Sequence, residues 1–268
     1  MPSLLVRGHR CVYERAGQGP NLTLLHSVGL STREGWRAQV QALSKSFTVL
    51  SFDFRGLGES EAGDAPLGVE TFAADLDDLH RQLGVSRTAL MGVSLGGFVA
   101  QVYALAHPEK LSALVLVSTA GKIFAGHAER RAARNAKIRA QGMKAAATHQ
   151  LASHFPDLFS ANNPDVLAWY DRHYQANDPE RYIAIMDDLG RFDSEARLPS
   201  LTASTLIVAG SLDNSSVAGR EPLDSAKTLQ RLIPGSRLEV IDGAFHYPHI
   251  DHAEEFNARV AAFLQGKA

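Results

Sequence analysis

Only one cysteine, Cys11, occurs in the 268 residues. That excludes an intramolecular disulfide and any metal cluster built on several thiolates. An excess of charge of one sign is also missing: 27 Lys and Arg face 29 Asp and Glu, a net −2. Neither a nucleic acid nor an anionic membrane surface is therefore expected as partner. No stretch approaches the roughly 20 consecutive apolar residues that a membrane-spanning helix needs. The amino terminus carries neither the basic segment nor the long apolar run of a secretion signal, so a cytoplasmic location is expected. Internal repeats and low-complexity tracts are absent as well. What is present is an ordinary globular composition, 45% hydrophobic, on a chain long enough for one large α/β domain or a domain carrying an insertion. A small molecule is the expected partner, and monomer and homodimer both stay open.

Residues 3–15 alternate around a Gly8-His9 turn and read as an edge hairpin, broken by Ala16-Gly17-Gln18-Gly19-Pro20. Short apolar strands at 22–25, 47–52, 88–92, 113–117, 205–209 and 237–241 then alternate with helical segments at 35–44, 71–83, 98–107 and 253–264. This alternation predicts a mostly parallel sheet with helices on both faces. Between Ser118 and Pro199 the rhythm fails: helical residues dominate, and the stretch is too long for a plain crossover. The expected division is a core of residues 1–121 and 200–268, with a helical cap at 122–199 over the carboxyl ends of the strands, where open α/β sheets bind ligands.

The run Gly92-Val93-Ser94-Leu95-Gly96 follows the apolar stretch Thr88-Ala89-Leu90-Met91 and precedes a helical one. A strand that reverses sharply into a helix holds its turn residue in strained backbone geometry, and flanking glycines remove the side chains that would clash. Ser94 is thus expected above the end of a sheet with its hydroxyl exposed, as a nucleophile. A serine hydroxyl needs a base to take its proton, and that base needs a third group to fix its tautomer. On such an elbow the partners follow in the order Ser, Asp/Glu, His, each after a later strand. The strand at 205–209 runs into Gly210-Ser211-Leu212-Asp213, and that at 237–241 into Asp242-Gly243-Ala244-Phe245-His246. Asp213 is the acid and His246 the base expected; the competing reading of Asp213 is a turn aspartate bonded to its own backbone. His249 and His252 read as surface or capping residues, with Asp251 and Glu254 as a capping box for the last helix. The three-residue histidine spacing also permits a metal reading, but no recognised zinc pattern accompanies it. After the strand at 22–25, His26-Ser27-Val28-Gly29 stands where an oxyanion loop is needed. The backbone amides of Val28 and Leu95 are the expected donors, with His26 ordering the loop.

Together these residues resemble the α/β-hydrolase family across nearly the whole chain. Ser51-Phe52-Asp53-Phe54-Arg55-Gly56-Leu57-Gly58-Glu59-Ser60 is similar to the family's D-x-R-G-x-G-x-S segment, and the elbow and the tail from Gly243 to Phe256 are similar too. Within the family the chain looks most like 3-oxoadipate enol-lactonases, cofactor-free haloperoxidase-type esterases and related carboxylesterases. The resemblance implies an α/β-hydrolase fold, a mostly parallel eight-stranded sheet with a helical cap, and cleavage of a small ester or lactone without metal or organic cofactor. Many members have His-Gly where this chain has His26-Ser27, a departure that leans toward lactones. Ser94 argues against the haloalkane dehalogenases and epoxide hydrolases of this fold, whose elbow carries an aspartate. Carbon–carbon hydrolysis of ring-fission diketones, perhydrolysis and a non-catalytic ligand receptor are the rival readings on the same fold.

The stretch 127–144 holds Arg130, Arg131, Arg134, Lys137, Arg139 and Lys144 against the single acid Glu129. It reads either as a solvated helix face or as a source of cations for an anionic substrate. Phe155, Phe159, Trp169, Tyr170 and Tyr174 are candidates for an acyl pocket or for the core of the cap. Trp36, Trp169 and Tyr170 are the substrate contacts expected.

Overall fold

The computed structural model describes residues 1–29, 32–124, 128–155, 161–215 and 220–267. At its start β1 (Ser3–Val6) and β2 (His9–Ala16) form the expected antiparallel hairpin. Its turn residues Arg7 and Gly8 both have positive φ, 41° and 81°, the conformation that matches a two-residue turn to strand twist. The sheet continues through β3 (Asn21–Leu25), β4 (Thr48–Phe52), β5 (Thr88–Val93), β6 (Leu111–Val117), β7 (Thr205–Gly210) and β8 (Arg237–Ile241). The strand order is β1-β2-β4-β3-β5-β6-β7-β8. β2 joins β4 antiparallel, and from β4 onward every pairing is parallel. In β5 every residue is buried, which is why the central strands read as unbroken apolar runs rather than alternating ones.

The helices of the core include α1 (Arg37–Leu43), α2 (Val69–Gln82) and α3 (Leu95–Ala106), and others follow β7 and β8. From β3 the chain moves to β4 on one side, then returns through α2 to β5 on the other. That reversal opens a crevice at the carboxyl ends of β3 and β5, where ligands of such sheets bind. The loop after β3 and the turn after β5 are the segments carrying Val28 and Ser94.

Between β6 and β7 come α4 (Ala128–Gln141), α5 (Met143–His154), α6 (Pro164–Gln175) and α7 (Pro179–Leu189). The two ends of this insertion are pinned together: the Ile123 amide donates to the Phe192 carbonyl (3.0 Å) and the Ser194 amide to that of Gly121 (2.8 Å). Ser194 Oγ also donates to Gln101 Oε1 on α3 at 2.8 Å. The insertion is also tied to the core by Asp188 on α7, which accepts the Val69 amide at 2.9 Å. Gly68 has no side chain to cap α2, so α7 supplies the acceptor. After β7 the chain forms α8 (Pro222–Leu232), a helix not anticipated from the sequence, and after β8 a single turn Pro248–Asp251 precedes α9 (Ala253–Leu264).

The D-x-R-G-x-G-x-S segment is a polar brace behind the crevice. Arg55, 1% exposed, donates Nε to Asp75 Oδ2 (2.9 Å) and Nη2 to Oδ1 (2.8 Å), and also reaches the carbonyls of Ala62 and Arg7. Ser60 Oγ bridges from the Val12 amide to the Asp53 carbonyl. Arg55, Asp75 and Ser60 are all partnered, the condition under which a buried ion pair rigidifies rather than destabilises. Among the described residues no helix is long and apolar enough to cross a membrane.

Candidate active site

Ser94 has φ 51° and ψ −114°, a strained conformation for a residue with a Cβ. The close packing that imposes it is legible in the glycines. A Cβ on Gly92 would stand 2.2 Å from the Gly96 carbonyl oxygen, and one on Gly96 only 2.1 Å from that of Leu25. Neither site admits a methyl group, and α3 therefore begins hard against the end of β3. The helix expected from residue 98 starts at Leu95 for this reason.

The loop after β3 is held from both sides. His26 accepts the Phe54 amide on Nε2 (2.9 Å), so its Nδ1 carries the hydrogen that meets the Ser27 carbonyl (2.7 Å). It orders the loop, as expected. From the insertion, the Tyr174 ring presses on Gly29, where a Cβ would lie 1.9 Å from Cζ. The loop that carries Val28 is thus held in place, and Leu95 opens α3, where the first amides have no partner within the helix.

Asp213 and His246 arrive from the ends of β7 and β8. His246 Nδ1 lies 3.0 Å from Asp213 Oδ2. Ser215, which the sequence reading passed over, completes the cluster: its Oγ is 2.6 Å from Asp213 Oδ1 and 2.8 Å from His246 Nδ1, and its amide donates to Oδ1 at 2.9 Å. With the Ser215 hydroxyl donating to the carboxylate, Nδ1 must carry the hydrogen, shared between Asp213 and Ser215. Nε2 is left as the basic nitrogen, and it makes no hydrogen bond among the described residues. Burial raises the Asp213 carboxyl, but the adjacent imidazole and the bonds from His246 and Ser215 outweigh it and hold the group below the ordinary carboxylate range. Ser94, Phe98, Asp213, Ser215, Arg220 and His246 line one cavity of about 30 Å³, room for one or two water molecules on the usual ~10–15 Å³ criterion.

Of the expected substrate contacts, none borders this small cavity. Trp36 is fully buried and packs on His249, ring centres 4.4 Å apart. Trp169 donates to Glu34 and lines an outer groove with Val166, Ala38 and Ile250. Tyr170 is buried one layer behind His246, its hydroxyl 2.9 Å from His154 Nδ1 and 3.4 Å from that of Tyr247. Phe159 lies outside the described residues; Phe155 packs edge-on against Tyr170.

Two readings of the histidine loop need correction. His249 is a core residue, 1% exposed, because the turn Pro248–Asp251 points it at Trp36. Asp251 does not cap the last helix: Oδ2 accepts the Phe245 amide (2.8 Å) and Oδ1 meets His252 Nδ1 (3.1 Å). His252 itself is the α9 N-cap and makes no side-chain capping bond. Three of the basic residues of α4 are engaged away from the cavity and two are exposed: Arg139 pairs with Glu180, Arg131 with Asp187, Arg134 packs over Tyr182, and Arg130 and Lys137 face solvent. The basic side chain at the cavity is Arg220, stacked over Phe124 at 4.6 Å, with Nη1 2.9 Å from Thr228 Oγ1 and 3.5 Å from Glu195. Cys11 plays no part; burial foremost pushes its thiol up to about 12.

Residues 20–253 match the model of the alpha/beta hydrolase fold family. The chain belongs to that family. It is 34% identical over 271 residues to polyketide synthase ThaQ of Burkholderia thailandensis, covering 96% of this chain but only 12% of that protein's length. It is 30% identical over 261 residues to a pimeloyl-[acyl-carrier protein] methyl ester esterase of Aeromonas hydrophila, covering 94% of this chain and 98% of the esterase. The crystal structure of the enol-lactonase from Burkholderia xenovorans LB400 superposes with a TM-score of 0.90 at 28% identity, covering 98% of this chain and all of that one. The eight-stranded fold, the resemblance to enol-lactonases and esterases, and hydrolase chemistry at this coarse level agree with the expectation from sequence.

Proposed function

We propose that the chain cleaves a small carboxylic ester or lactone by a serine acyl-enzyme route. The observation that carries this reading is the tautomer lock at His246: Asp213 and Ser215 both claim Nδ1, leaving a basic Nε2 on the cavity that Ser94 lines. Nε2 takes the Ser94 proton as Oγ attacks the carbonyl carbon, and Asp213 stabilises the imidazolium. The amides of Val28 and Leu95 receive the oxyanion. The leaving alkoxide takes the proton back from Nε2; in a lactone it stays attached to the acyl chain. Water, deprotonated by the same nitrogen, then frees the acid and regenerates Ser94. That Nε2 makes no hydrogen bond among the described residues is compatible with this, since such bonds tighten when substrate binds. The esterase and enol-lactonase relatives support the substrate class.

Initial rates on p-nitrophenyl esters, methyl esters and simple and carboxylated lactones, for wild type and Ser94→Ala, test the proposal. Turnover by wild type and its loss in the variant are expected. Equal rates in both would remove Ser94 from the chemistry, and no turnover on any ester or lactone would bring carbon–carbon hydrolysis or ligand sensing forward.

A further inference from the structure

The insertion places a side chain directly against His246. His154, the last residue of α5, lies with its ring almost parallel to that of His246, centres 4.3 Å apart and planes inclined by 21°. Both are buried, at 2% and 3% exposure. Tyr247 presents its ring edge-on to both histidines, at 4.9 Å from His246 and 5.2 Å from His154. His154 is held in turn by Tyr170, 2.9 Å from Nδ1. The hydroxyls then continue from Tyr170 to Tyr247 (3.4 Å) and from Tyr247 to Ser27 Oγ (3.2 Å). A connected path thus runs from the ring stacked on His246, through the insertion, to the loop that carries Val28.

Asp213 and Ser215 hold only one edge of the His246 ring. The bonds at Nδ1 pin that atom, but a tilt of the ring about it, through coupled rotation at Cα–Cβ and Cβ–Cγ, still carries Nε2 out of place, and a base whose Nε2 strays from the nucleophile loses rate steeply. A flat group against the ring face blocks that swing. We propose that His154 is the positioning residue for the catalytic imidazole, and that α5 and the Tyr170–Tyr247–Ser27 path set base and oxyanion loop as one unit. This rests on the ester and lactone hydrolase reading above.

The test uses His154→Ala, His154→Phe and Tyr170→Phe, each checked for folding by thermal melting. On a small neutral ester, His154→Ala is expected to lower kcat about 10- to 100-fold with KM within about threefold, the size of effect that ~1 Å of misplacement produces. His154→Phe, which keeps a flat ring on the same face, should recover most of kcat, and Tyr170→Phe should show a smaller loss in kcat. A second readout needs no turnover: the low-field proton resonance of His246 Nδ1–H, recorded in the Ser94→Ala background, should be sharp with His154 present, broadened by solvent exchange in the alanine variant and sharp again with phenylalanine. An unchanged resonance in His154→Ala overturns the proposal, as does a loss confined to KM, which would make His154 a wall of the substrate pocket. If no ester is cleaved by wild type the hydrolase reading fails, and the resonance still decides what His154 does to the ring.

Discussion

Ser215 Oγ stands 2.8 Å from His246 Nδ1 and 2.6 Å from Asp213 Oδ1. It is a third participant between acid and base, giving its hydrogen to one and accepting from the other. Removing it as Ser215→Ala leaves the Asp213 bond to Nδ1 in place but takes away one of the contacts that hold the carboxyl low. A three- to tenfold fall in kcat is expected, on the ~0.5–1.5 kcal/mol of a typical hydrogen bond. Asp213→Asn should be far worse, about 10⁴-fold, because the amide favours the wrong tautomer, as in the well-studied serine-protease case. Steady-state kinetics on one ester measure both, and an Asp213→Asn enzyme of near-normal kcat would show that the acid is another residue.

Arg55 and Asp75 are both buried and share two bonds of 2.9 and 2.8 Å. Asp75→Asn removes the charge and leaves a guanidinium uncompensated in the core. Breaking a pair of this kind costs about 3–5 kcal/mol. Urea unfolding should show a lower midpoint with an unchanged slope; a midpoint equal to wild type would mean that the carbonyls of Ala62 and Arg7 suffice to hold Arg55.

His80 and His249 are both lowered from 6.5 to about 3, chiefly by burial. His80 sits between Thr23 Oγ1 (3.0 Å) and the Tyr103 hydroxyl (3.1 Å), and His249 against Trp36. The sign follows from linkage. Below about 6.5 the unfolded chain binds protons at these positions and the folded chain does not, so stability falls as the pH drops through the window from 6.5 towards 3. Each histidine should remove about 1.4 kcal/mol per pH unit within that window. Melting temperatures from pH 7.5 to 5 measure the slope, and His80→Gln should flatten it. A melting temperature that stays level over this range would show that the two sites are solvated.

Arg220 is the basic side chain on the cavity shared by Ser94 and His246. An anionic group on a substrate is expected to meet Arg220, which lines this cavity, whereas Arg139 on α4 is exposed and paired with Glu180. Arg220→Gln should raise KM for a carboxylated lactone about tenfold or more, the worth of a hydrogen bond to a charged group, and leave a neutral lactone within about twofold. Arg139→Gln should change neither. Equal effects on both lactones would reassign Arg220 to holding α8 through Thr228.

How much of this was legible in the chain depends on how local each signal is. The strands and the elbow were, because a buried parallel strand is an apolar run and a strand-to-helix reversal needs Gly92 and Gly96 whatever surrounds it. Asp213 and His246 were, because each follows directly on a strand end. Ser215 also carried a readable sign, standing two residues beyond Asp213 in a turn where such hydroxyls bond back. Helix α8 was overlooked although Pro222 at its first turn and its amphipathic pattern announce it. The capping box assigned to Asp251 and Glu254 was a true pattern overruled by packing, since the Asp251 carboxylate finds the Phe245 amide first.

The sequence by itself determined the class of fold and the order of the chemical groups along it, since periodicity, glycine placement and strand-end positions depend on neighbours within a few residues. Only the tertiary structure decided that His249 is core, that the α4 cations turn away while Arg220 turns in, and that His154 lies on the face of His246. Those outcomes depend on contacts between segments 77 to 210 residues apart, Tyr170 against Tyr247, His154 against His246 and Gln39 against His249. No local pattern encodes such a distance, because what settles it is the shape left after every other side chain has been packed.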